Sequence, residues 1–167
     1  MTTLFSKGDS VFKATQLVPA FVEGVRLLNT AENTRNAANP ALTPKQNVSM
    51  TASFDGNVYS ISATLPVDTA LTTTGQYALT ARNYLGTYGD FVPGTSELES
   101  TNLAGAVLEL AQKVQAAELQ QPEADRPNNI QLVHEADTGT MVISASIPFN
   151  PAIGTSGEVT LFANAYI

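Results

Sequence analysis

Apolar and polar residues alternate in two rhythms along this chain, and each rhythm occurs in both halves. In the segments 16–31 and 97–118, apolar residues recur every three to four positions, which predicts amphipathic helices. In the segments 48–54 and 59–65, and again in 130–136 and 141–147, apolar residues occupy every second position, which predicts strands. Alternation over 77–81 and 159–167 predicts a third strand in each half.

Turn signals separate the predicted strands. Asp55-Gly56 lies between the first two strands of the first half, and Asp137 lies at the same place in the second half. An Asp-Gly pair between alternating segments is typical of a β-hairpin. Gly75 and Gly157 each follow a polar triplet before the third strand, so we expect a positive φ at both. We interpret all five residues as structural turn positions, because an aspartate in a turn bonds its own backbone.

The two halves match each other at an offset of 82 positions without a gap. Between 55–85 and 137–167, 11 of 31 positions are identical, ending with the pair Tyr84 and Tyr166. Half of this chain would be marginal as an independent unit, so the copies are expected to share a core. The sequence therefore predicts an α+β fold: a tandem duplication of a helix plus three-stranded antiparallel β unit with pseudo-twofold symmetry. In the helices the fainter match pairs Phe21 with Leu103, Val25 with Val107 and Leu28 with Leu110.

The predicted organisation has three parts that form one compact domain. Residues 1–85 are the first αβββ repeat, 86–96 a packed linker, and 97–167 the second αβββ repeat. The linker contains Tyr88, Phe91 and Val92, whereas free tethers are rich in glycine, serine or charge. We therefore expect this segment to pack against the rest of the chain.

Composition and charge exclude several classes of function. Charged residues make up only 14% of the chain, against about 25% in typical domains, and the net charge is −7. The eight basic residues are scattered, so we expect no direct binding of nucleic acid. No apolar run approaches a membrane span and no signal peptide is visible, which predicts assembly in a cytoplasm and no membrane contact. The absence of cysteine excludes thiolate metal sites and cysteine nucleophiles.

Few residues offer catalytic chemistry. Gly8-Asp9-Ser10 resembles the nucleophile block of the GDS hydrolases, but those enzymes need a histidine shortly after an aspartate. The single histidine, His134, lacks that aspartate and falls on the apolar side of a predicted strand. One histidine without a carboxylate cluster predicts no zinc site. We expect no enzyme activity and no cofactor, and we interpret four glutamates as a solvated helix face: Glu97, Glu99, Glu109 and Glu118.

The chain combines low charge and lack of cysteine with strands rich in Ser, Thr and Ala, such as the segments 60–65 and 142–147. In this respect it resembles small virion structural proteins of tailed bacteriophages, including head decoration, adaptor and tail components. The resemblance implies a non-enzymatic structural or assembly subunit, such as a capsid decoration, cement or head–tail protein. Its partners would be further copies of itself and other virion proteins, and its location would be the virion, assembled in the host cytoplasm.

Apolar side chains in the linker and at the C-terminal strand predict a subunit interface. A strand with apolar residues on both faces needs cover on both sides, so we expect a homo-oligomer. A trimer is favoured over a dimer because phage shells and tails offer threefold and sixfold positions. The alternative is a ligand- or glycan-binding accessory module of a fibre or tail, with Tyr59, Tyr77, Tyr84 and Tyr88 as a stacking surface. The predicted interface residues are Tyr88, Phe91, Val92, Phe162, Tyr166 and Ile167.

Overall fold

The computed structural model describes residues 3–53, 55–67, 81–135, 137–150 and 163–167. Within these ranges the chain forms two α-helices and a four-stranded antiparallel sheet, so the predicted α+β class is confirmed. Two short 3₁₀ helices, Gly86–Gly89 and Glu123–Asp125, lie in the connections. The main elements are α1 (Leu17–Ala38), β1 (Val48–Ser53), β2 (Val58–Pro66), α2 (Leu103–Leu119), β3 (Ile130–Glu135) and β4 (Thr140–Pro148).

Both predicted helices form, but their bounds differ from the expected ones. Helix α1 continues to Ala38, beyond the predicted end at 31, whereas α2 begins at Leu103 and not at 97. The side chain of Asn102 accepts a hydrogen bond from the Gly105 N–H, which caps α2 and fixes its start. The helices therefore start 86 positions apart, and the predicted gap-free offset of 82 is wrong for this part of the chain.

The sheet has the strand order β1-β2-β4-β3, with all neighbours antiparallel. Each hairpin contributes one edge strand and one central strand, and Ser62 of β2 pairs with Ser144 of β4 near the middle. Asp55, Gly56 and Asp137 lie in the hairpin turns, as predicted.

Each hairpin turn contains one residue at positive φ. The residues in the left-handed region are Asn57 at φ 55 and Gly139 at φ 64, each directly before the returning strand. Asparagine and glycine are the residues that adopt this conformation most readily. The predicted positions Gly75 and Gly157 lie outside the described residues.

The predicted third strands fall largely outside the described residues. At their described ends, Ala81 pairs with Val67 and Ala163 pairs with Phe149 as isolated antiparallel bridges. Residues 164–167 are not in a strand, so the prediction of a strand running to Ile167 is wrong there. Instead, the carbonyl oxygen of Ile167 accepts a hydrogen bond of 2.7 Å from the Thr3 N–H, and the Ile167 side chain is buried.

The core lies between the sheet and the two helices. Alternate residues of the central strands point inward and are buried, including Tyr59, Ile61, Ile143 and Ile147. The helices approach each other closely at Gly24, where an added Cβ would lie 3.3 Å from Leu110 Cδ1. The arrangement is a two-layer packing of helices on one face of a sheet.

Candidate interaction surfaces

Small hydroxyl side chains make up most of the outer face of the sheet. Ser60, Ser62 and Thr64 of β2 and Ser144 and Ser146 of β4 are exposed, whereas their neighbours are buried in the core. The same face also carries the cross-strand pair Val133 and Val142, of which Val133 is 52% exposed. The strand register brings them into rows, for example Ser49, Ser62, Ser144 and Gln131 across the four strands. We call this surface the hydroxyl face: Ser49, Thr51, Ser60, Ser62, Thr64, Ser144 and Ser146.

A shallow hollow of about 470 Å³ crosses the hydroxyl face near its centre. Its lining is made of serine and threonine hydroxyls, the amides of Asn128, Asn129 and Gln131, and two strand residues, Ile61 and Ala145. No charged residue lines it. The surface therefore offers many neutral hydrogen-bonding groups and little electrostatic field.

A buried glutamate joins α1 to the start of β1 and to the segment before the linker. The carboxylate of Glu32 accepts hydrogen bonds from the backbone N–H of Asn47 at 3.0 Å and of Val48 at 3.3 Å. It also accepts a short hydrogen bond from the Tyr84 hydroxyl. We call these four residues the Glu32 cluster; they satisfy two backbone donors at the point where the strand begins.

A second buried glutamate does the same in the other half. Glu118 accepts from the N–H of Asn129 at 3.0 Å, from the N–H of Ile130 at 3.4 Å and from the Tyr166 hydroxyl at 2.6 Å. We call these residues the Glu118 cluster. Each donor in it has a counterpart in the Glu32 cluster. The two glutamates are 86 positions apart in the sequence, whereas the corresponding donors are 82 positions apart. The prediction that Glu118 belongs to a solvated helix face is wrong, because its side chain is only 2% exposed.

Burial changes the ionisation of both clusters. Desolvation raises the pKa of Glu32, against the opposing effect of its three hydrogen bonds. The pKa values of Tyr84 and Tyr166 are raised far above the ordinary value, first by desolvation and then by hydrogen bonding to the neighbouring carboxylate. Both hydroxyls therefore stay protonated and act as donors at any physiological pH.

Two further glutamates fix the segments that precede the helices. Glu23 accepts from the backbone N–H groups of Lys13 and Ala14, and Glu109 accepts from those of Glu99 and Ser100. The roles of these four buried or partly buried glutamates were not predicted from the sequence. For Glu32 and Glu118 the sequence does contain a signal, because they follow Leu28 and Val114 by four positions and so extend the apolar stripe of each helix.

The first half contacts the linker through two reciprocal hydrogen bonds. The Asp9 N–H donates to Thr95 Oγ1 at 3.1 Å, and the Thr95 N–H donates to Asp9 Oδ1 at 2.6 Å. Gly8 and Gly94, both at positive φ, precede these residues. The hydrogen bonds from Thr95 hold the pKa of Asp9 below its usual value. The hydroxyl of Ser10 donates to the Lys7 carbonyl at 2.6 Å, so the Gly-Asp-Ser block forms a turn.

An apolar groove of about 340 Å³ lies beside this contact. Its aliphatic side chains come from the segment before α1, from α1 itself, from the linker and from α2. Val11 is 58% exposed and Val92 is 76% exposed, while two carboxylates stand at the rim. We call it the apolar groove; its lining residues are Asp9, Val11, Leu27, Asp90, Phe91, Val92, Gly94 and Leu103.

A smaller groove of about 230 Å³ lies in the corresponding place of the other half. Four of its lining residues lie 86 positions in the sequence from lining residues of the apolar groove. The pairs are Leu4 with Asp90, Leu17 with Leu103, Glu97 with Val11, and Lys113 with Leu27. Glu97 and Lys113 form an ion pair of 3.1 Å there. We call this second site the charged groove.

The predicted interface residues do not form one surface. Phe91 is buried and packs edge-on against Phe12, and Ile167 is buried, so both belong to the core of the chain. Tyr166 is partly buried with its hydroxyl on Glu118. Tyr88 and Val92 are exposed. Phe162 lies outside the described residues.

The predicted aromatic platform for a sugar is also not assembled. Tyr59 is buried against Phe149, Tyr84 points its hydroxyl to buried Glu32, and Tyr77 lies outside the described residues. His134 is half-buried on the same side of β3 as Ile130, as predicted.

Metal and membrane sites are not found in the part of the chain that the structure describes. No group of three or more potential ligands among His, Asp and Glu comes together there. Neither described helix has the length and apolar character needed to cross a membrane. Comparison of the chain with protein-family models, curated proteins and solved structures gives no match.

Proposed function

We propose that this chain is a non-enzymatic structural or assembly subunit of a large protein complex. The hydroxyl face carries the proposal: it is a broad surface of neutral side chains on the sheet, left uncovered by the described helices. Small hydroxyls contact another protein without the cost of desolvating charges. They also retain donors and acceptors for hydrogen bonds across an interface.

The use of the acidic residues supports a structural role. Glu23, Glu32 and Glu118, the buried carboxylates of the described chain, all accept hydrogen bonds from backbone N–H groups at element boundaries. A catalytic acid or base needs access to a substrate proton. These three carboxylates are committed to holding the fold.

The complex we propose is the virion of a tailed bacteriophage, with this chain as a capsid decoration, cement or head–tail component assembled in the host cytoplasm. This part of the proposal is supported by the resemblance in composition and strand sequence. The subunit would work as a homo-oligomer, with a trimer favoured, and would bind other virion proteins.

We further propose that the chain arose by tandem duplication, with a pseudo-twofold axis near the Ser62–Ser144 pair. The palindromic strand order, the matching glutamate clusters and the reciprocal Asp9–Thr95 hydrogen bonds support it. Helix positions then correspond at an offset of 86 and strand positions at 82. The difference of four positions arises because α1 is five residues longer than α2, while the segment between helix and strand is one residue shorter in the first half.

The experiment is sedimentation of a native lysate, followed by detection of this chain. We expect recovery in a fast-sedimenting complex. The variant Ser62→Lys/Ser144→Lys places two cations on the hydroxyl face and should release the chain from the complex while leaving it folded. Thr30→Lys, on the exposed side of α1, is the matched control and should remain bound. Recovery of wild-type protein only as a free monomer would contradict the proposal.

The hollow on the hydroxyl face favours one second candidate, a ligand- or glycan-binding accessory module of a fibre or tail. Its hydroxyl and amide lining could pair with the hydroxyls of a sugar. A glycan array distinguishes the two: binding that is lost in the Ser62→Lys/Ser144→Lys variant supports the module. Absence of binding by wild-type protein rejects it.

A further inference from the structure

The apolar groove carries aliphatic side chains at positions where the charged groove carries charged ones. At the corresponding positions of the charged groove, Glu97 replaces Val11 and Lys113 replaces Leu27, in the same setting between a helix and the segment before it. Val11 is 58% exposed, whereas Leu27 is partly buried against the core. The aliphatic lining of Val11 and Leu27 therefore distinguishes the apolar groove from the charged groove.

The rim of the apolar groove carries negative charge. Asp9 and Asp90 are both exposed at its edge. Asp9 accepts hydrogen bonds from Thr95, and Asp90 accepts one from the Asn83 amide. Among the described residues, neither carboxylate forms an ion pair. An aliphatic floor beside two carboxylates complements a segment in which aliphatic side chains stand next to lysine or arginine.

The charge of the chain argues against a second copy as the occupant. Its net charge is −7, and its eight basic residues are scattered along the sequence. An acidic rim facing another acidic subunit would be repelled, whereas a basic protein would be attracted. The volume of about 340 Å³ lies near the small end of ligand sites, which span about 300–1,000 Å³. It suits a few aliphatic side chains of a peptide.

We infer that the apolar groove binds a segment of a different, basic protein of the assembly, which inserts aliphatic side chains against Val11 and Leu27 and places a lysine or arginine at Asp90. This inference rests on the proposed function and assigns a partner class to one surface of the subunit.

The test is selection from a random library of 12-residue peptides displayed on messenger RNA, with purified wild-type protein as bait. We expect enriched peptides to combine Leu, Ile or Val with Lys or Arg. Their affinity should fall at least tenfold for Leu27→Lys, which places a cation in the groove, and severalfold for Asp90→Asn. The matched control is Thr43→Lys in the exposed loop after α1, which adds the same charge outside both grooves and should leave binding unchanged.

Three results would overturn the inference. The first is that no peptide class is enriched, and the second is that enriched peptides bind wild type and Leu27→Lys equally. The third is that Leu27→Lys loses self-association in light scattering, because a second copy would then be the occupant of the groove. Unfolding by urea checks that Leu27→Lys is folded. If the chain sediments with its complex but no peptide is enriched, the inference about the groove fails while the proposed function stands.

Discussion

The apolar groove and the charged groove lie in corresponding places, yet their linings differ in chemistry. One contains Val11 and Leu27 with carboxylates at the rim, and the other contains the Glu97–Lys113 ion pair. The Glu32 and Glu118 clusters, by contrast, have the same chemistry in both halves. Each contains a glutamate that accepts hydrogen bonds from backbone N–H groups at the start of a strand and from a tyrosine hydroxyl. What recurs in both halves holds the fold together. What differs between them is where we expect a partner to bind.

The largest expected effect is the removal of either recurring carboxylate. Glu118→Ala leaves the Asn129 and Ile130 N–H groups and the Tyr166 hydroxyl without their acceptor in a buried site. We expect a loss of unfolding free energy on the order of 4 kcal/mol, measured by urea denaturation. Glu32→Ala should lose a similar amount.

The control for this prediction is Glu135→Ala on an exposed strand end, where the change should stay within about 0.5 kcal/mol. A Glu118→Ala protein as stable as wild type would mean that the two clusters do not hold the strands in place.

The next effect distinguishes two glycines at positive φ. An added Cβ at Gly8 would lie 2.3 Å from the Thr95 carbonyl carbon, which is backbone, whereas at Gly94 it would meet the Asp9 carboxylate at 1.9 Å. The Asp9 side chain can rotate away but the backbone at Thr95 cannot. We expect Gly8→Ala to cost about 3 kcal/mol, from strain and overpacking, and Gly94→Ala to cost less. Thermal unfolding of both variants measures the order, and the reverse order would contradict this account.

A moderate effect is expected at alkaline pH. The folded-state pKa values of Tyr84 and Tyr166 are raised, so below pH 10 both hydroxyls are protonated in the folded and unfolded chain. As the pH rises above about 10, the unfolded chain ionises and the folded chain does not, so stability is lost. Urea midpoints at pH 8 and pH 11 should fall less for Tyr84→Phe/Tyr166→Phe than for wild type. An equal fall in both proteins would reject the assignment.

The smallest expected effect is in the charged groove. Lys113 and Glu97 are 35% and 31% exposed, and an ion pair at such a site contributes about 0–1 kcal/mol. We therefore expect Lys113→Leu to change the urea midpoint little, while giving this groove an aliphatic wall like that of the apolar groove. A large loss of stability would show that the ion pair stabilises the fold. The chemical difference between the two grooves would then no longer indicate where a partner binds.

The sequence predicted those parts of the fold that follow from local periodicity. The helix stripes, both hairpins and the inward side of His134 could be predicted because each depends on neighbours within a few residues. The offset of 86 between the helices could not be predicted, because most identical residues of the two halves lie in the strands and the helix sequences match only weakly.

The candidate surfaces were harder to predict than the elements. The buried glutamates were missed because a charged residue on a helix is normally exposed, and their partners lie up to 52 positions away in the sequence. The apolar groove combines four separate segments, so no local pattern indicates it. Phe91 and Ile167 were assigned to an interface because apolarity alone cannot distinguish a core contact from a contact with another chain.

The central claim, that the hydroxyl face is the contact surface of an assembly subunit, can be tested by cysteine labelling. The chain contains no cysteine, so Ser62→Cys and the control Thr30→Cys each introduce one reactive thiol. In the free chain both should react with a maleimide at similar rates. In the fast-sedimenting complex we expect protection of Ser62→Cys and continued reaction of Thr30→Cys. Equal labelling of Ser62→Cys in the free and assembled states would contradict it.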